Sequence, residues 1–288
     1  MQEILKENNE DSVSKLVPAL YVVATPIGNL GDITLRAIEI LKNCDFVICE
    51  DTRVTGKLLN HLGIKKTFII YNDHSDENVR AKVLSQILQG KSLALVSDAG
   101  TPLICDPGYK LVELLRENDC KIFAIPGACS AIAALSVSGI GSDRFMFCGF
   151  VPHVAKTGFF KELVNIESSL IFFESPSRLV KTLKIMNEIF GNRMAAVSRE
   201  ITKFYEQTKK DSLENLANFY ETNPPRGEIV ILLSAPLKKG EIDDVRIDDL
   251  LQKGMGTMKP KELVAMVADE LKLGKKEVYA RMLELAAK

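Results

Sequence analysis

From Leu20 to Ser138 short apolar, β-branched runs alternate with longer segments in which apolar residues recur every three or four positions. A short apolar run makes one buried strand and the three-to-four spacing lays one stripe along a helix, so the alternation predicts βα units around a mainly parallel sheet. The strands expected are Leu20–Ala24, Asp45–Cys49, Thr67–Tyr71, Ser92–Ser97 and Lys121–Ile125. The helices between and after them are Leu35–Lys42, Thr55–His61, Glu77–Leu88, Tyr109–Glu117 and Ser130–Ser138. In the fourth, Leu111, Leu114 and Leu115 share one face.

After Ser138 the segment SGIGSDRF, with two glycines and a charged pair, breaks the helical pattern and predicts a domain boundary. A second α/β half follows, with strands at Phe145–Phe150, Leu170–Glu174, Met194–Ser198 and Glu228–Leu233 and helices near Phe159–Ile166, Leu179–Phe190 and Leu213–Tyr220. Strand order is not readable from either half. The organisation expected is a polar tail over 1–18, one α/β domain over 19–138, a second over 139–235, a charged linker over 236–244 and a helical module over 245–288. Within that module Val245–Met255, Lys259–Lys272 and Lys275–Ala287 read as helices, the last two joined by a tight turn at Leu273-Gly274 in helix-turn-helix spacing.

Composition narrows the field. The 288 residues are 46% hydrophobic, enough for a substantial core, and 37 basic residues against 38 acidic ones give no polyelectrolyte signature. Contact with nucleic acid must then be local. The six cysteines, scattered through apolar runs without a CxxC pair, read as reduced thiols. The first eighteen residues have no apolar signal core, and apolar runs stop at about six to eight residues, well short of the ~20 that span a bilayer. A cytoplasmic protein without a membrane segment is expected. His61, His74 and His153 stand apart, so no metal site is expected.

Three loops follow strands of the first half, and the carboxyl ends of strands in an open parallel sheet are where ligands bind. The first, ATPIGNLGDIT from Ala24, holds two glycines without the GxGxxG spacing; Glu50-Asp51 lies near where a dinucleotide site places its acidic residue, so a nicotinamide enzyme stays open here. The second, SDAGTPLICDPG over 97–108, packs two prolines, two glycines and two aspartates into twelve residues and suits rigid positioning. The third, IPGACSA over 125–131, sets small residues before a helix whose free N–H groups can face a ligand. A tight helix start capped by Ser130 accounts for the same residues.

These loops, followed by FFESPSR over 172–178, REITKFYE over 199–206 and PRGE over 225–228, resemble the tetrapyrrole methylase superfamily, and within it the ribosomal RNA small subunit methyltransferase I family. The resemblance runs from about Leu20 to the C-terminus and is most specific in ATPIGNLGDITLRA, EDTR, SDAGTPLICDPG and PGACSA. It implies a two-domain tetrapyrrole-methylase-like fold, a homodimer, and S-adenosyl-L-methionine held between the halves. It also implies methylation of a cytidine ribose 2′-hydroxyl in small-subunit ribosomal RNA, free or as the 30S particle. Carried over residue by residue, it puts Pro26 and Ile27, Gly100, Thr101 and Leu103, and Cys129 and Ser130 on the cofactor. Phe173, Glu200, Arg226 and Gly227 close over it from the second half. Tetrapyrrole-directed members usually have Gly-Asp-Pro where this chain has Gly100-Thr101-Pro102, which removes a carboxylate that Asp98 or Asp106 would replace.

The chemistry agrees in kind. Methyl transfer from a sulfonium needs alignment and exclusion of water, and a ribose hydroxyl, which titrates far above neutrality, needs a proton acceptor. Glu200 and Lys203 are the catalytic candidates, with a structural ion-pair network as the alternative. Arg53, Arg178 and Arg199 are the phosphate-contact candidates, since guanidinium suits phosphate, with ion pairs to Glu50, Asp51, Glu174 or Glu200 as the alternative. Lys275 and Lys276 are the RNA-contact candidates of the helical module, for which a solvated helical cap is the competing reading. The rival functions are methylation of a tetrapyrrole or corrinoid precursor, nicotinamide-dependent oxidoreduction, and RNA binding without catalysis.

Overall fold

The computed structural model describes residues 16–72, 77–236, 239–255, 257–271 and 274–286. The polar tail up to residue 15, His74 and Leu273 of the expected turn lie outside them. Of the described residues, those up to Ser234 form one compact unit and those from Ala235 a second.

The first unit begins with five βα repeats: β1 (Ala19–Val23), α1 (Leu35–Asn43), β2 (Phe46–Cys49), α2 (Thr52–His61), β3 (Thr67–Ile70), α3 (Glu77–Leu88), β4 (Ser92–Leu95), α4 (Tyr109–Glu117), β5 (Ile122–Ile125) and α5 (Ser130–Ser138). The strands are parallel in the order β3-β2-β4-β1-β5. Central β4, SLAL, is buried at every position, as a strand covered on both faces must be. Alternate residues divide between the faces: Leu20, Ile48 and Leu93 pack with Leu111 and Leu115, while Tyr21, Val23 and Val47 pack with Ala37, Leu41 and Leu59. Helix α2 starts three residues earlier than its apolar pattern suggests because the Asp51 carboxylate accepts from the Arg53 N–H and caps it.

The second half carries β6 (Phe145–Phe150), α6 (Lys156–Leu163), β7 (Ser169–Glu174), α7 (Leu179–Phe190), β8 (Met194–Arg199), β9 (Gln207–Ser212), α8 (Leu213–Thr222) and β10 (Ile229–Leu233). Its sheet, β6-β7-β10-β8-β9, is mixed: only β6 and β7 are parallel. One face is covered by α6, α7 and α8 through Phe160, Phe172, Leu183, Met186 and Tyr220. The other is covered by α5, whose Ala131, Ala134 and Leu135 cluster with Ile171, Ala196, Val230 and Leu232. The chain therefore changes sheets after Ser138, and its last first-half helix is already core of the second sheet, so the two sheets share one compact unit.

The described residues of the second unit form three helices, α9 (Lys239–Gly254), α10 (Pro260–Leu271) and α11 (Lys275–Ala286), around Ile247, Leu251, Leu263, Val267, Val278 and Met282. Helix α9 starts six residues before the expected Val245, inside the segment read as linker. Its polar first turns, KGEIDD, carry no apolar stripe that the pattern could register.

Candidate functional site

The three first-half loops converge. Thr25 and Gly100 exchange backbone hydrogen bonds of 2.9 and 3.1 Å, tying the first loop to the second. The Thr101 hydroxyl donates to the Ala128 carbonyl at 3.1 Å, tying the second to the third. A side chain on Gly127 would meet the Ala24 Cβ at 2.9 Å, so the first and third loops are in contact as well. Thr101 thus works as a strut between loops.

These loops and the second sheet enclose a cavity of about 290 Å³. Ile27 enters from the first loop, Asp98 to Thr101 with Ile104, Cys105 and Asp106 from the second, and Cys129 and Ser130 from the third. The second half contributes Phe150, Phe173, Glu174, Ile201 and Glu228 to Val230. Cys129 and Ser130, which open helix α5, line the cavity, and the N-cap residue Cys129 makes no side-chain capping bond to the N–H groups of the first turn. Partial desolvation at the cavity wall, reinforced by the nearby charge of Asp51, holds the Asp98 carboxyl above the ordinary carboxylate range although the residue stays exposed.

Of the cofactor residues expected from sequence, Ile27, Gly100, Thr101, Cys129, Ser130 and Phe173 line this cavity; Pro26, Leu103, Glu200, Arg226 and Gly227 do not. Pro26 is half-buried in the loop behind Ile27. Leu103 turns away at φ 73° and packs beside Gly108. Arg226 is exposed and makes no ion pair among the described residues. Gly227, at φ +85°, leaves room for the Glu200 carboxylate, which a side chain there would overlap.

Glu200 and Lys203 form a clasp beside the cavity. Lys203 Nζ lies 3.0 Å from carboxylates of both Glu200 and Glu228, and Glu200 Oε1 accepts from the Glu228 N–H at 3.1 Å. The Lys203 hydrogen bond keeps the Glu200 carboxyl below its usual range. Burial alone would lower Lys203, but the two carboxylates outweigh it and hold the ammonium above its usual range. A carboxylate so stabilised is a poor proton acceptor, so the structural reading of this pair is the one the geometry favours. The Lys203 stem also lies over the first loop, where a Cβ on Gly28 would come within 2.6 Å of it.

The arginines divide likewise. Arg53, its side chain 86% exposed, forks onto Asp51, which this pairing lowers to about 2. Arg178 pairs at 2.5 Å with fully buried Glu174, which also accepts from Lys156, Thr182 and the Ser175 N–H. Arg178 is thus committed to the cavity wall. Arg199 donates to Gln207. Lys275 and Lys276 are exposed in the first turn of α11.

Sequence reasoning missed Phe150, Ile201 and Ile229 as cavity residues. Phe150 ends β6 and was findable by the strand-end rule. Ile229 was not, because β10 runs antiparallel to β7 and β8 and brings its first residue, opposite Glu174 and Arg199, to the ligand end. Among the described residues no group of three or more His, Cys, Asp or Glu side chains is disposed to hold a metal, and no helix is long and apolar enough to cross a membrane.

Two α/β sheets with a loop-lined cleft between them define a methylase of the tetrapyrrole type, and residues 19–217 match the family model "Tetrapyrrole (Corrin/Porphyrin) Methylases". Crystal structures of diphthine synthase (TM-score 0.60, 17% identity, covering 78% of this chain and 93% of that one) and of uroporphyrin-III-C-methyltransferase from Thermus thermophilus (0.53, 18%, 74% and 93%) share the fold. The chain is 45% identical to the ribosomal RNA small subunit methyltransferase I of Rickettsia prowazekii (strain Madrid E), over 92% of this chain and 96% of the relative. It is 48% identical to that of Erythrobacter litoralis (strain HTCC2594), over 96% and 99%. The chain belongs to the ribosomal RNA small subunit methyltransferase I family.

Proposed function

We propose that the protein uses S-adenosyl-L-methionine to methylate the ribose 2′-hydroxyl of a cytidine in small-subunit ribosomal RNA, in the cytoplasm and as a homodimer. The observation that carries the reading is the pairwise contact of the three strand-end loops around one cavity, in a chain whose full-length relatives bear the ribosomal RNA methyltransferase name.

The cavity suits the cofactor by its donor set. A sulfonium nucleoside with an amino-acid tail needs an anion-binding end, carboxylates for its positive charges and apolar walls for its flat base. The uncapped start of α5 offers the first, Asp98 and Asp106 the second, Ile27, Phe150, Phe173 and Ile201 the third. When bound, the cofactor supplies the methyl carbon. The chain's own work is alignment: the Thr25–Gly100 and Thr101–Ala128 bonds fix the loops on one side, and the Glu174 network fixes the facing wall. Glu228 shares Lys203 with Glu200, but it lines the cavity and its side chain is 77% exposed against 21% for Glu200, and we assign it to accept the hydrogen bond of the incoming hydroxyl.

The test is incubation with small ribosomal subunits and methyl-labelled S-adenosyl-L-methionine, followed by nucleoside digestion. Label on the ribose of a cytidine is expected. Label on a base, or only on protein, contradicts the proposal.

A further inference from the structure

The turn between β8 and β9 ends in two aromatic side chains that the fold leaves in water. Phe204 is 93% exposed and Tyr205 68%, and their rings meet edge to face with centroids 5.0 Å apart. The turn beneath them is held from several sides. Glu200 N donates to the Glu228 carbonyl, Lys203 N to the Glu200 carbonyl and Glu206 N to the Lys203 carbonyl, at 3.0–3.1 Å. The Glu206 carboxylate accepts from Thr202 N at 2.7 Å, and Glu200 and Thr202 both keep positive φ without being glycine. Aromatics at the tip of so constrained a turn are presented at low entropic cost.

Three residues before Phe204, Ile201 is buried in the cavity wall. The same turn thus runs from the cavity to the exposed rings. Its surroundings are charged. Arg226, beside Glu200 through the Gly227–Glu228 contacts, is exposed and makes no ion pair among the described residues; Arg199 at the base of the turn is bonded to an amide, Gln207, not to a carboxylate.

We propose that Phe204 and Tyr205 form a stacking surface for an unpaired nucleobase of the RNA substrate, with Arg199 and Arg226 placed for the phosphates beside it. The inference rests on the reading of the chain as an RNA methylase. Every base has a π-face and recognition of single-stranded RNA uses aromatic and guanidinium planes, so two rings with flanking arginines match a splayed nucleotide. A second copy of the chain is a poorer fit: a stable dimer wants about 800 Å² per partner with an apolar centre, whereas the turn that carries these two rings also carries the charged Glu200, Lys203 and Glu206.

The chain contains no tryptophan, so Phe204→Trp in the full-length protein provides a fluorescent reporter at this one point. Its emission should be quenched by a short cytidine-containing single-stranded RNA. The Phe204→Ser/Tyr205→Ser variant should lose about tenfold or more in kcat/KM on small subunits and bind S-adenosylhomocysteine with unchanged affinity. Unchanged kcat/KM in the double variant overturns the inference. So does emission from the introduced tryptophan that responds to protein concentration and not to RNA, which would assign the rings to a subunit interface, and so does a joint loss of S-adenosylhomocysteine binding. If the wild type labels no ribosomal RNA, the functional reading itself fails and takes this one with it; if the wild type is active and the double variant equals it, only this inference fails.

Discussion

At the scale of single residues, the site turns on which carboxylates line the cavity and how far each stays open to solvent. Asp98 lines the cavity with its carboxyl above the ordinary range through partial desolvation and the charge of Asp51. A raised folded-state pKa means that ionised Asp98 weighs against the empty protein at neutral pH, and that its contribution to stability is lost as pH rises through that value. A cationic ligand reverses the sign, since it favours the ionised form. Affinity for S-adenosyl-L-methionine, measured by calorimetry, should therefore fall as pH drops through the Asp98 titration, by up to about tenfold per unit. Asp98→Asn should bind more weakly at pH 7 and show no such slope; wild-type affinity in that variant would remove Asp98 from the cofactor's contacts. Glu228 makes a different prediction. Glu228→Gln keeps the shape of the wall and removes the acceptor charge, so kcat on small subunits should drop about a hundredfold while S-adenosylhomocysteine affinity holds. Weakened affinity instead would make Glu228 a binding residue.

At the scale of elements, what was legible in the sequence followed from burial. Strands such as β4 and β10, buried at every position, announce themselves as apolar runs, and so do the helices that cover them. Strand β9, QTKKDS, has no buried position; it is an edge strand that β8 holds through the backbone ladder, and no side-chain pattern betrays it. The loops were legible by their glycines and prolines, but the pairing of Arg178 with Glu174, or of Lys203 with two carboxylates, depends on strand direction and helix placement that local sequence does not carry. The same limit hid Lys156, which opens α6 and reaches, 7% exposed, into a network with Glu174 of β7 and Thr182 of α7. This network joins three elements behind the cavity. Lys156→Met removes one of the two cations from a buried carboxylate and should cost about 3 kcal/mol in a urea titration. Adding Glu174→Gln should return part of that loss, because it removes the charge left behind. A single variant as stable as the wild type would show that Arg178 alone neutralises Glu174.

At the scale of the whole molecule, the division of cores decides which parts can be separated. The four clusters within the two-sheet unit draw only on residues up to Leu233, and the helical module's cluster only on residues from Ile247 onward. Removing the module thus takes no member from the cores that shape the cavity. With 37 basic against 38 acidic residues the chain has no global attraction for a polyanion, so affinity for RNA must come from local cations. Lys275 and Lys276, adjacent and exposed at the start of α11, are such a pair. A chain ending at Ser234 should melt cooperatively and bind S-adenosylhomocysteine with the affinity of the full protein, yet bind RNA more weakly. Its dependence of log K on log salt should be shallower by about 0.7 for each single-strand phosphate that the module neutralises in the full protein. Lys275→Ala/Lys276→Ala in the full chain should reproduce part of that change in slope without touching the fold. Equal rates on small subunits for the full and shortened chains would make the module a structural cap, and would leave RNA recognition to the rim of the cleft alone.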